Sequence, residues 1–339
     1  MVGEGPLRTP RGAGGDRVTR VAAIDCGTNS IRLLVADVPS TGGATDLVRR
    51  MEVVRLGQGV DATGRLAADA IERTRVVLAE YAATARELGA EDVRMVATSA
   101  TRDAANRAEF EQMVLTTLGR LPDVVPGREE AELSFLGATA SLETAAAAHG
   151  SAAPEAPFLV VDIGGGSTEF VLGDASGLRA ARSVDIGCVR LTERRLAGDP
   201  PTDAEVQATV ADIRAALALV TAEVPVAAAA SLVGLAGSVT TVAALALDLP
   251  AYDPETIHGS RIAVADVRRV SESLLAMPRT QRAALPVMHP GRVDVIGAGA
   301  LILRVIMDEF GLDEVVVSEH DILDGIALRL ARGRPDPVG

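Results

Sequence analysis

Residues 159–173, LVVDIGGGSTEFVLG, set an aspartate, three glycines, a Ser-Thr pair and a glutamate between two apolar runs. Three successive glycines pack nothing and lose backbone entropy on folding. A fold therefore keeps Gly164, Gly165 and Gly166 where the chain needs φ > 0 or must lie against a ligand. Their N–H groups, with no side chain in the way, form a concave nest for phosphate oxygens. Asp162 and Glu169 on the flanks are oxygen donors for the divalent cation that phosphate brings with it. One such stretch reads equally well as an ordinary glycine-rich turn.

A second copy breaks the tie. Residues 21–35, VAAIDCGTNSIRLLV, repeat the layout, and Asp25, Gly27 and Ser30 each precede Asp162, Gly164 and Ser167 by 137 positions. Two strand-turn-strand phosphate loops in one chain predict a duplicated domain with a ligand gripped between the copies. Asp25, Asp162 and Glu169 then suit Mg²⁺, which takes one or two carboxylates and fills the rest of its shell with water and substrate oxygens.

Other residues fit phosphate chemistry once the loops are granted. Arg32 and Arg102 each follow a turn bearing Ser or Thr (TNSIR, TSATR), where a guanidinium can grip phosphate bidentately. GLAGSVTT places Gly237 and Ser238 at a strand-to-helix junction, and a helix N-terminus accepts phosphate. Hydrolysis needs a base. His149, His258, His289 and His320 form no metal-ligand spacing such as HExxH, so a carboxylate is favoured, with Glu129 and Glu130 as candidates. Acids in a first helical turn are otherwise dipole partners. Arg292 and Asp294, beside Gly297 and Gly299, and the run Glu319-His320-Asp321 read equally as caps or surface ion pairs.

The elements that must carry these residues come in the same order twice. Strands over 20–25, 31–38 and 46–55 precede a helix over 67–88, a strand over 92–98 and a charged helix over 102–119. Pro122, Pro126 and Gly127 mark a boundary, and GREEAELSFLGATASLETA reads as one helix. Residues 145–157 form a low-complexity connection. After the Gly-rich turn, strands over 168–173 and 179–185 precede a helix opened by Gly187-Cys188. A helix over 202–222, the strand SLVGLAG, helices over 264–276 and 290–310, the strand EVVVSE and a last helix over 321–332 follow.

Composition sets the limits. At 339 residues two domains are expected, and 48% hydrophobic with 23% charged residues is globular material. A net charge of −13 excludes a general polyanion-binding surface, so phosphate must be held by local arginines, backbone N–H groups and a metal ion. Aromatic content of 2% without Trp removes the stacking platforms of single-stranded nucleic-acid readers. Cys26 and Cys188 are expected as buried, reduced thiols. The first 17 residues read as a flexible tail and not a signal peptide, and no run approaches the roughly 18 apolar residues of a membrane span, so a cytoplasmic location is expected.

DCGTNSIRLLV, ATSATR, GREEAEL, VVDIGGGSTEF, GLAGSVTT and RVDVIGAGALIL, in this order, resemble the exopolyphosphatase and guanosine pentaphosphate phosphatase (Ppx/GppA) family over residues 20–331. The resemblance implies an α/β fold of two related actin-like (ribonuclease H-like) domains with a cleft between them. Residues 18–127 would form the first and 128–320 the second, with 321–332 packing back on the first. It implies Glu130 as general base, and Asp162, Gly164, Gly165, Gly166, Ser167 and Glu169 as a phosphate and metal loop. Asp25, Gly27, Thr28, Asn29 and Ser30 would form the other loop, Arg102 would contact phosphate, and Arg32 and Arg292 would face the cleft. The implied activity is Mg²⁺-dependent removal of the terminal phosphate of inorganic polyphosphate. Short chains are favoured, because the sequence stops before the extra C-terminal helical domains of larger members. Hydrolysis of guanosine pentaphosphate is the alternative, and a kinase or a sensor of (p)ppGpp or other nucleotides on the same fold are the rivals. A homodimer is expected, with neither nucleic acid nor membrane as partner.

Overall fold

The computed structural model describes residues 17–40 and 43–333; the tail expected over the first 17 residues lies, apart from Arg17, outside them. Two mixed sheets organise the chain. In the first, β1 (Val18–Cys26), β2 (Ser30–Pro39) and β3 (Thr45–Val53) form an antiparallel meander. The helix Ala68–Glu87 then crosses to β4 (Asp92–Ala97), parallel to β1, and β5 (Asp123–Val124) adds beside β4. The second half repeats the plan with β6 (Phe158–Ile163), β7 (Thr168–Asp174) and β8 (Gly177–Val184), followed by β9 (Ser231–Leu235) parallel to β6. An edge strand β10 (Arg261–Ala263) and β11 (Glu314–Val317) complete the order β10-β11-β9-β6-β7-β8. Each half is an α/β unit built on the same three-strand meander followed by a parallel strand.

Strand β1 shows why its sequence reads as one continuous apolar run. Ala22, Ile24 and Cys26 join a core with Leu78, Tyr81 and Phe110, while the alternate residues Val21 and Ala23 join one with Leu323 and Ile326. A strand covered on both faces loses its polar alternation. The second cover is the last helix, Ile322–Ala331, which comes directly from β11 of the second sheet and packs on β1 and β2 of the first. It crosses the helix Gly127–Thr139, which lies on β7 and β8. The crossing is close because both helices present glycine: a Cβ on Gly137 would strike the Asp321 carbonyl, and one on Gly325 the Leu133 carbonyl.

Several elements depart from the sequence reading. The helix expected over 102–119 is two, Ser99–Arg102 and Arg107–Leu118, because the Asn106 side chain bonds the Leu66 N–H (2.8 Å) and carbonyl (3.0 Å) and fixes a turn between them. The GREEAEL helix likewise ends at Thr139, and Leu142–Ala148 forms a separate helix reaching into the expected connection. Between them Ser141 bonds His258 and His320. Residues Pro290–Arg292 form a 3₁₀ turn, and the long helix starts only at Ile296. Among the described residues no helix is long and apolar enough to cross a membrane.

Candidate active site

The carboxyl ends of β1, β4, β6 and β9 meet at a cleft of about 800 Å³, counting its open mouth. Ligands of open α/β sheets bind at this end of the strands. From the first half Asp25, Gly27, Thr28, Asn29, Ser30 and Arg32 line it. Asp162, Gly164, Gly165 and Ser167 line it from the second, and Glu130, Gly237, Ser238 and Arg292 complete the walls. The two hairpins close identically: Gly27 N–H donates to the Ser30 carbonyl and Gly164 N–H to the Ser167 carbonyl, each at 3.0 Å. Asp25 stands opposite Arg32, and Asp162 opposite Glu169, at the same register in each copy.

The glycines serve close approach and not unusual dihedrals. Gly27, Gly164, Gly165 and Gly166 all keep negative or extended φ. A Cβ on Gly165 would come within 2.9 Å of Thr28 Cβ, and one on Gly166 within 2.6 Å of Ser99 Oγ and 2.7 Å of Thr28 Oγ1. The second loop thus lies directly on the first, and Gly166 serves this contact without lining the cleft. Gly187 extends the arrangement, since a Cβ there would collide with the Gly165 carbonyl. Gly187→Ala is expected to push the second loop out of place and cost about 1–3 kcal/mol of stability, read from urea unfolding.

Four buried carboxylates crowd this region, with three arginines among them. Asp25 is buried, which pushes its pKa up, while Arg32 pulls it down. Arg32 donates from Nε (3.0 Å) and Nη2 (2.7 Å) to Asp25 Oδ2, and from Nη1 to Asp321 Oδ2. Burial lifts Asp162 to about 6 although Ser134 Oγ donates to its Oδ2 at 2.7 Å. Glu130 rises to about 8, again through burial, against the opposing Arg102 guanidinium, whose Nη1 is 3.1 Å from Oε2. Glu169 is pushed well up by burial and by the charges of Glu130 and Asp162. Its Oε1 accepts from Ser183 Oγ at 2.7 Å, and it does not line the cleft.

These shifts carry a stability consequence. Between about pH 4.5, the ordinary value for glutamate, and about pH 8, the folded chain keeps a proton on Glu130 that the unfolded chain has lost. Stability contributed by the protonated form therefore falls as pH rises through that window. Glu130→Gln, which cannot ionise, is expected to melt at higher temperature than the wild type at pH 8, with the difference vanishing near pH 4. Scanning calorimetry checks it.

Of the adjacent pair, only Glu130 faces the cleft. Glu129 is drawn to Arg94 Nη2 at 2.8 Å. Arg102, held to Glu130 and to the Val125 carbonyl (3.0 Å), does not line the cleft, and Arg32 lines it with its guanidinium committed to two carboxylates. Arg292 differs: its Nη1 donates to Thr241 Oγ1 (3.1 Å), and it makes no ion pair among the described residues. Gly237 is bare because the Arg292 guanidinium lies against it, and Gly299 because Ser238 does. Asp294, by contrast, pairs with Arg55 (2.8 Å) and Arg279 (2.6 Å).

The carboxylates suit a hard cation. Asp25 Oδ1 is buried without a hydrogen-bond partner, an acceptor left open on the cleft wall. Among the described residues no three His, Cys, Asp or Glu side chains form a ready-made cage. Mg²⁺ takes one or two protein carboxylates and fills the rest of its shell with water and substrate oxygens, so the acids of this cleft fit it. Sequence reasoning missed Ser134, which sits four residues after Glu130 and hence on the same helical face, and Ser99, which meets Thr28 at 3.0 Å.

Twin hairpins closing on a cleft of buried acids and bare N–H groups suit an α/β enzyme that handles phosphate groups. The sequence model of the Ppx/GppA phosphatase family matches residues 34–332, and the chain belongs to that family. It is therefore a hydrolase. It is 52% identical over 326 residues to exopolyphosphatase 2 of Mycobacterium tuberculosis, covering 93% of this chain and 99% of that protein. The crystal structure of an exopolyphosphatase-like protein superposes with a TM-score of 0.87 at 41% identity, over 93% of this chain and 99% of the other. The Aquifex aeolicus member of the Ppx/GppA family follows with a TM-score of 0.75 at 31% identity, over 93% and 98%.

Proposed function

We propose that the protein is an exopolyphosphatase that hydrolyses the terminal phosphoanhydride bond of inorganic polyphosphate, with water as acceptor and Mg²⁺ as cofactor. The observation that carries this reading is Glu130, a buried carboxylate facing the two loops across the cleft. Its Oε2 is taken by Arg102, which leaves Oε1 to hold and deprotonate a water. With a pKa of about 8, roughly a tenth of Glu130 is ionised at pH 7, so kcat/KM should climb with pH toward that value.

Asp25 and Asp162 would hold Mg²⁺, with Glu169 buried beside them as a neighbouring charge. When bound, the cation neutralises the charge on the phosphates. The bare N–H groups of the two loops, with Ser30, Ser167 and the helix N-terminus at Gly237 and Ser238, cradle the chain. Arg292, without an ion pair among the described residues, is the guanidinium with N–H groups to spare for phosphate. Arg32 and Arg102 act on the carboxylates they pair with. The reading is tested by phosphate release from short and long polyphosphate, guanosine pentaphosphate and ATP, with and without Mg²⁺. Release from short polyphosphate in Mg²⁺ supports it. Acceptor-dependent ADP formation without polyphosphate cleavage would mark a kinase, and tight (p)ppGpp binding without phosphate release a sensor.

A further inference from the structure

Asp321 is 5% exposed and divides its two oxygens between two tasks. Oδ1 accepts the Leu323 N–H at 2.9 Å and caps the last helix, while Oδ2 takes Arg32 Nη1. Its own N–H donates to Asp324 Oδ2 at 2.9 Å, and Asp324 is gripped by Arg49 Nη2 at 2.6 Å. The chain of contacts therefore runs from Asp25 on β1 through Arg32 on β2 to the helix start, and returns to Arg49 on β3. Its backbone carbonyl abuts Gly137 of the helix that carries Glu130.

Arg32 spends both of its Asp25 contacts on a single oxygen, Oδ2, and its third on Asp321. The other Asp25 oxygen is the orphaned buried acceptor of the cleft wall. A guanidinium shared by two carboxylates leaves the trio with a net negative charge. Left to Asp25 alone, the same guanidinium would neutralise it and could close on both oxygens in a bidentate pair. We infer that Asp321 is a positioning residue for the cation: by drawing Arg32 to one side, it keeps the guanidinium from closing on both Asp25 oxygens and leaves Oδ1 available. This rests on the assignment of Asp25 as a metal carboxylate made above. Partners one shell out from a metal ligand alter metal affinity about 10- to 100-fold when removed.

Asp321→Asn separates the two tasks, because asparagine caps a helix as well as aspartate but carries no charge. Asp321→Ser, also a capping residue, is the second arm, and melting curves verify that each variant folds. Mn²⁺ is titrated into each protein without substrate and followed by electron paramagnetic resonance. The expected result is a 10- to 100-fold weaker Mn²⁺ affinity in both variants, and a matching rise in the Mg²⁺ concentration that half-saturates polyphosphate hydrolysis. In an Arg32→Gln background the same Asp321 substitutions are expected to change Mn²⁺ affinity little, since Asp321 acts through Arg32. Unchanged Mn²⁺ affinity in folded Asp321→Asn and Asp321→Ser, or an undiminished effect without Arg32, overturns the inference. Wild-type protein that binds Mn²⁺ in this manner yet releases no phosphate from polyphosphate would leave the inference standing and remove the proposed activity instead.

Discussion

Glu130→Gln is expected to lower kcat for polyphosphate by about 10² to 10⁴, the range for loss of a positioned general base, while leaving substrate affinity near that of the wild type. The amide keeps the shape of the side chain and still offers an oxygen to Arg102 Nη1. What it loses is the capacity to take a proton. A second signature accompanies the rate loss. In the wild type the kcat/KM profile should rise through about pH 8, and in the variant this limb should disappear. Full turnover in Glu130→Gln at unchanged affinity would remove Glu130 as base. Because the variant is also expected to be more stable at pH 8, slow turnover cannot be ascribed to unfolding.

Arg292→Ala is expected to lower kcat by about 10² to 10³, the cost of removing a preorganised donor aimed at developing charge. The geometry makes the case. The guanidinium lies flat against Gly237, is oriented by Thr241 Oγ1 at 3.1 Å, and makes no ion pair among the described residues. Arg292→Lys should recover only part of the rate, since an ammonium cannot reproduce the planar fork. Arg32→Ala and Arg102→Ala should act differently, by releasing Asp25 and Glu130 from their partners. Single-turnover phosphate release separates the three.

The duplicated loops were legible because their chemistry needs fixed residue types at fixed spacing: Asp25, Gly27 and Ser30 recur at Asp162, Gly164 and Ser167, and the same hairpin hydrogen bond closes both. The two three-strand meanders were legible for a related reason, since their apolar runs are long. Short edge elements were not. Strands β5 and β10 span two and three residues and carry no periodicity of their own. Nor were the partners of the arginines. TNSIR and TSATR suggest phosphate grips, but Arg32 and Arg102 are engaged by Asp321 and Glu130, residues 289 and 28 positions away, and such pairing depends on tertiary placement. The reason for the glycines was half visible. Close approach was foreseen, but the body approached at Gly165 and Gly166 is the opposite loop of the same chain.

The last helix, Ile322–Ala331, is the second cover of β1, a strand made some three hundred residues earlier. During synthesis Val21, Ala23, Leu34 and Val96 therefore lack this cover until the helix Ile322–Ala331 has itself been made. The half that is translated first is completed last. The finishing of one lobe is thereby coupled to the arrival of the other.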